Sequence, residues 1–162
     1  MNDLIDGIAA GGSDRVRLAS QVEALLASLQ PSVVRERRRN ERCPIPVLFK
    51  LTPLEAGSQP IPHEATIVVG KNISRRGLCF FHEQPISHRR AIIELMQPGL
   101  GEFAAEIDVT WCRFTKPGWY ESGGRLVRSA KKIGRHGINH EPVEMSRFSA
   151  VFHDCLSDPD ML

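Results

Sequence analysis

Between residues 46 and 128, short apolar runs alternate with polar interruptions that carry glycine or proline. In residues 46–51, Val47, Phe49 and Leu51 alternate with Leu48 and Lys50, the period-2 pattern of a strand with two unlike faces. Thr52-Pro53 through Pro62 is rich in Gly, Ser and Pro and reads as a loop. Residues 65–70 form a second predicted strand, rich in β-branched side chains. A polar turn covers residues 72–77, and residues 78–81 are a third strand. Residues 91–96 are a fourth, after which Pro98-Gly99 turns the chain. Phe103, Ala105, Ile107, Val109 and Trp111 alternate along a long fifth strand, a spacing that assigns Trp111 to the same face as the others. Lys116-Pro117-Gly118 marks a hairpin into a sixth strand at 119–128, and Gly123-Gly124 within it predicts a bulge or sharp bend. Six short strands so punctuated predict a mainly β chain closed as an antiparallel barrel. No βαβ rhythm appears, which argues against a Rossmann-type enzyme.

The flanks follow a different period. Residues 1–12 end in a glycine pair and are expected to be mobile. Ser13 is a good N-cap, and Leu18, Val22, Leu25, Leu26 and Leu29 recur at helical spacing up to Pro31. This N-terminal helix must bury its leucine face, either on its own barrel or against a second copy in a homodimer. Residues 131–139 read as a basic connector, and Pro142 suits a first helical turn. Met145, Phe148, Val151 or Phe152, and Cys155 or Leu156 then predict a C-terminal amphipathic helix, expected to cap an open end of the barrel. The organisation is therefore residues 1–34 as N-terminal segment and helix, 35–130 as barrel with its linker, and 131–162 as connector and helix.

Composition narrows the class. The chain is 41% hydrophobic and 25% charged, ordinary for a packed globular domain. A net charge of +2 is too small to imply nonspecific nucleic-acid binding and directs attention to local charge. Cys43, Cys79, Cys112 and Cys155 are scattered without a C-x-x-C pair, as expected of free thiols in a reducing cytosol rather than a metal site. Nothing approaches the about 20 apolar residues of a membrane span, and the N-terminus lacks a basic leader, so the expected location is cytoplasmic. The six histidines show no metal spacing, and no nucleophile elbow or phosphate-binding loop occurs. Glu102 and Glu106 read as the solvent row of a strand, and Ser74 has no base near it. The expectation is a binding protein without cofactor or metal, not an enzyme.

The charge that matters is concentrated. Arg35-Glu36-Arg37-Arg38-Arg39-Asn40-Glu41-Arg42 lies just before the first strand, held by the stiff Cys43-Pro44-Ile45-Pro46. Guanidinium forks hold phosphate bidentately or stack on bases, and a short polar turn offers small side chains and backbone N–H groups. Arg38-x-x-x-Arg42, the apolar strand at 46–51, and Asn72-x-Ser74-x-x-Gly77 resemble the two signature motifs of the PilZ domain family. That family comprises small bacterial β-barrels, many of which bind cyclic di-GMP; the resemblance spans roughly residues 35–128.

The resemblance implies a six-stranded PilZ-like barrel acting as a cyclic di-GMP receptor or effector in second-messenger signalling. It implies Arg38 and Arg42 near phosphate and a guanine edge, Asn72 and Ser74 on the other guanine, and Gly77 as the residue that lets the turn approach closely. Asn72 stands where the family often has Asp, which changes the donor–acceptor balance. Arg37 is an extra fork; a basic residue there goes with a stacked ligand dimer in similar proteins, so two nucleotides per chain are expected. Arg75 and Arg76 add phosphate contacts or face solvent. Ligand would order the arginine linker, reorient the N-terminal helix and change its contact with an unidentified downstream protein. Two rivals stand beside this reading. One is a PilZ-like protein-interaction adaptor that binds no nucleotide. The other, ranked last, is an RNA- or DNA-binding barrel using the same arginines with Trp111, Trp119 or Phe residues as stacking platforms.

Overall fold

The computed structural model describes residues 13, 16, 17, 19, 20, 42–97, 99, 100, 102–116 and 118–133. Within them are seven strands: β1 (Cys43–Pro44), β2 (Leu48–Pro53), β3 (Thr66–Ile73), β4 (Gly77–His82), β5 (Arg90–Leu95), β6 (Ala104–Lys116) and β7 (Trp119–Ser129). One 3-10 turn, Pro62–Glu64, interrupts the loop between β2 and β3. All pairings are antiparallel, in the order β3-β2-β5-β6-β7-β4, and β4 pairs back onto β3. Six strands therefore close a barrel, and closure removes the sheet edges that would otherwise need covering. The two-residue β1 continues along the edge of β3 that β2 occupies further down.

The core is the inward half of the alternation. Phe49, Leu51, Val68, Ile73, Leu78, Phe80, Ala91, Ile93, Phe103, Ala105, Ile107 and Leu126 pack into one buried cluster. Val47, Phe49 and Leu51 are all buried, as their spacing predicts. The strand expected at 46–51 is β2, which begins at Leu48 rather than at residue 46. Pro44 and Pro46 lack N–H donors, and the chain there is held by isolated bonds instead: Ile45 N donates to Lys71 O at 3.0 Å, and Gly70 N to Val47 O at 2.8 Å. Gly70 permits this crossing, since a Cβ there would stand 2.3 Å from Ile45 O and 2.8 Å from the Phe49 ring.

The strands at 65–70 and 103–111 run longer than expected. β3 continues through Asn72 and Ile73, so Asn72 belongs to a strand and only the residues after Ile73 turn. β6 extends to Lys116, making a hairpin with β7. Of the two acidic residues expected to share a solvent row, Glu102 is exposed and precedes β6, whereas Glu106 is 3% exposed. Glu106 is buried because Arg90 and Arg128 both bond to its carboxylate. At the N-terminus, Ser13, Val16, Arg17, Ala19 and Ser20 are helical and exposed. The leucine stripe of that helix, its proposed self-association and the C-terminal helix lie outside the described residues.

Inside the barrel, at the end of β4, His82 is 1% exposed. Its Nδ1 lies 2.6 Å from Gln84 O and its Nε2 2.8 Å from Ser122 Oγ, and the ring stacks on Tyr120 at 5.7 Å. A carbonyl only accepts, so Nδ1 carries the proton and Nε2 accepts from the Ser122 hydroxyl. Burial pushes the His82 pKa below its ordinary 6.5, partly offset by the bond to Gln84. The unfolded chain thus protonates first on acidification, and His82's contribution to stability, complete above about pH 6.5, falls as pH drops through that value toward the lower folded one. Urea midpoints measured between about pH 7.5 and pH 5 should fall with pH in the native protein and show a shallower dependence in His82→Gln. Equal slopes would show that His82 does not couple to folding.

Candidate functional site

On the outer face of the barrel four residues lie in one row across four strands. Asn72 on β3 pairs with Cys79 on β4, Cys79 with Gly123 on β7, and Gly123 with Trp111 on β6. Two register irregularities build the row. Lys71 is the extra residue on β3 between Gly70 and Asn72, and Thr110 is the extra residue on β6 between Val109 and Trp111. One inserted residue flips every later side chain to the opposite face. The strict alternation that would put Trp111 with Val109 in the core therefore fails: Val109 packs on the core, while Trp111 points outward and is 40% exposed. The irregularity expected at Gly123-Gly124 is present, but its extra residue sits on the facing strand.

Gly123 sets the position of the indole. A Cβ at 123 would lie 2.5–2.6 Å from Cε2, Cζ2 and Nε1 of Trp111, so the ring rests directly on the glycine backbone. The Arg113 guanidinium stands over the same ring at 5.4 Å and is anchored on Glu121 through Nη2 at 2.7 Å and Nε at 3.1 Å. Lys71 Nζ, 3.2 Å from Glu121, completes that cluster.

A groove of about 270 Å³ follows the row, lined by Arg42, Asn72, Ser74, Arg76, Gly77 and Cys79 on one side and by Thr110, Trp111, Gly124 and Arg125 on the other, with Leu78 beneath. Local sequence explains each placement. Pro44 pairs with Asn72, which delivers the preceding Arg42 to the groove mouth. The turn between β3 and β4 is tied by Ser74 N to Gly77 O at 2.9 Å. The Ser74 hydroxyl oxygen accepts from Gly77 N at 3.2 Å and Arg76 N at 3.4 Å, leaving its O–H with only a 3.5 Å approach to Gly77 O. Gly77 is required for a further reason: a Cβ there would be 2.8 Å from Gly124 O.

Electrostatically the groove is lined by positive charge, from Arg42, Arg76 and Arg125. Arg42 and Arg76 are exposed and have no ionic partner among the described residues. Arg125 has only a 3.6 Å approach to Asp108. Burial pushes the Cys79 thiol up, and the Arg42 guanidinium pulls it the other way, so Cys79 stays a neutral thiol facing positive charge. Such a set can take an anion with a flat apolar ring: guanidinium forks for the charge, an indole for stacking, and an amide on Asn72 for an edge.

Of the residues singled out by sequence, Arg42, Asn72, Ser74, Arg76 and Gly77 line this one groove. Arg37 and Arg38 lie outside the described residues, and Arg75 is exposed in the turn without lining the groove. Cys79, Thr110, Gly124 and Arg125 carry no signal in either motif, and Trp111 enters the sequence reading as an inward strand residue and as a stacking residue for an oligonucleotide. The available signal was a glycine pair in one strand facing a tryptophan in the next. Gly123→Ala should lift the indole off β7. Of the two indole N–H resonances in a proton–nitrogen correlation spectrum, one should shift and exchange faster with solvent in this variant; two unmoved resonances would contradict the packing.

No family model matches the sequence, and no curated protein matches it. Among solved structures the chain is similar to the inhibitor of motility MotI/DgrA of Bacillus subtilis, with 12% identity and a TM-score of 0.41, covering 75% of this chain and 50% of that one. It is also similar to MrkH of K. pneumonia in a c-di-GMP complex, with 16% identity and a TM-score of 0.41, covering 79% and 56%. The apo form of MrkH gives 15% identity and a TM-score of 0.39, covering 80% and 55%. The chain thus spans about half the length of the structures it matches. Likeness at this level bears on neither the groove nor its ligand.

Proposed function

We propose that the chain is a receptor for a cyclic purine dinucleotide, cyclic di-GMP, and that the outer-face groove is its binding site. One observation carries the reading: residues from two separate sequence motifs, Arg42 and the Asn72–Gly77 segment, line one groove in which two arginines have no ionic partner among the described residues and Trp111 is 40% exposed. Arg42 and Arg76 hold phosphate through paired N–H donors. Asn72 meets a guanine edge with its amide, which no described residue engages. Ser74 chiefly shapes the turn and offers its remaining O–H. Trp111 provides the face on which a base stacks. At about 270 Å³ the groove lies at the lower end of small-molecule sites, and it accommodates part of a dinucleotide. Arg37 and Arg38, a few residues before Arg42, supply the remaining donors and any second, stacked nucleotide. Binding draws the self-repelling linker onto the barrel, and the changed presentation of the N-terminal helix is the output to a downstream protein.

Calorimetric titration with cyclic di-GMP tests this. Binding should be saturable in the native protein and weaken roughly 10- to 150-fold in Arg42→Ala or Arg76→Ala, the equivalent of about 1.5–3 kcal/mol for a charge-assisted bond. Trp111→Ala should weaken it by a similar factor through lost stacking, worth about 1–3 kcal/mol per base. No heat of binding, or an affinity unchanged from the native protein in all three variants, would overturn the assignment and leave the adaptor reading.

A further inference from the structure

The outer face of β5, β6 and β7 segregates its charges by depth. Glu106 and Asp108 are successive outward residues of β6, and each is held by two arginines. Arg128 donates to Glu106 from Nε at 2.7 Å, Arg90 donates to the same carboxylate from Nε at 2.7 Å, and Arg90's terminal nitrogen contacts it too. Arg89 Nε donates to Asp108 at 2.9 Å, and the Arg125 terminal nitrogen stands 3.6 Å away. The carboxylate side chains are 3% and 18% exposed, whereas those of Arg89, Arg90, Arg125 and Arg128 are 41–74% exposed. Four guanidiniums over two carboxylates leave two positive charges in excess, and solvent meets mainly the positive layer. The chain's net +2 hides this because the compensating acids are underneath.

These arginines are pre-set. Arg89 and Arg128 grip their carboxylates through Nε, so the outer nitrogens of each fork remain directed away, and much of the ordering cost of binding is already met. Glu106 and Asp108 sit two residues apart on one strand, so the arginine pairs repeat at about 6.7 Å. The strip does not end blindly. Arg125 also lines the groove, where the indole of Trp111 is held flat on Gly123.

We infer that this strip and the Trp111 end of the groove form a track for single-stranded nucleic acid, the arginines following the phosphodiester backbone and Trp111 stacking a base. Paired forks at this spacing suit phosphates, and a ring laid flat on Gly123 with Arg113 over it, 40% exposed, offers its uncovered part for a base to stack beside the guanidinium rather than a wedge to insert in a lipid surface. Because Arg125 and Trp111 belong to both the track and the groove, a cyclic dinucleotide in the groove displaces the strand; this last clause rests on the proposed function above.

The test is fluorescence anisotropy of labelled 15-nucleotide dT and rU strands with the full chain. Binding should weaken with salt, with a slope near −3 in log K against log salt, as four contacts at about 0.7 each require. Arg89→Ala and Arg128→Ala each leave their carboxylate one arginine, so the fold should survive, as checked by thermal melting. Each should flatten the slope by about 0.7. No binding, a slope unchanged in both variants, or tighter binding of polyglutamate or of phosphatidylglycerol vesicles would overturn the track. Cyclic di-GMP should release the bound strand. If calorimetry shows the dinucleotide binding without release, the shared-residue clause fails. If the dinucleotide does not bind while the strand does, the groove reading fails and the track stands.

Discussion

Everything at the groove depends on β4 being paired on both edges. Four of its six residues pair with β3 on one side and all six with β7 on the other, and this is the pairing that shuts the barrel. Because strand side chains alternate, closure through Leu78 and Phe80 inward obliges Cys79 to point outward, with Asn72 and Gly123 as its neighbours. A barrel of this size is filled by its own side chains, so a ligand has to lie outside. The recess that makes this workable comes from missing side chains: Gly77 and Gly123 lower the wall, and Trp111 folds down onto the space at Gly123.

Charge is organised by the same sheet. Glu106, Asp108 and Glu121 are outward-facing carboxylates on β6 and β7, and all are largely buried beneath basic side chains. A buried carboxylate needs such partners, since removing it from water is costly unless it is paired and hydrogen-bonded. The consequence at the surface is that guanidiniums are held by their Nε edges and aligned, while Arg42 and Arg76 at the groove have no ionic partner among the described residues.

Much of this was readable from residue order. The period-2 runs gave six barrel strands in sequence, and Val47, Phe49, Leu51, Phe103, Ala105 and Ile107 are inward as their spacing required. What was not readable has a common cause, the register irregularity. Nothing local marks Thr110 as an extra residue; it becomes one because Gly123 and Gly124 on the facing strand let the pairing slip. The slip moves Trp111 from the core set to the groove. Burial of Glu106 was equally hidden, because its partners Arg90 and Arg128 are 16 and 22 residues away. The motif residues converge because β1 docks opposite Asn72, a contact that the proline-flanked Cys43-Pro44-Ile45-Pro46 stiffens but does not spell out.

The docking of Pro44 beside Asn72 turns the arginine segment into a short leash. A chain spans at most about 3.6 Å per residue, so Arg38, four positions before Arg42, stays within roughly 14 Å of it along the backbone whatever its conformation. For a ligand held at Arg42, a guanidinium tethered within so small a radius would be present at high effective concentration from the tether alone. Lengthening the leash by inserted residues would therefore dilute the second arginine without altering a single atom of the barrel.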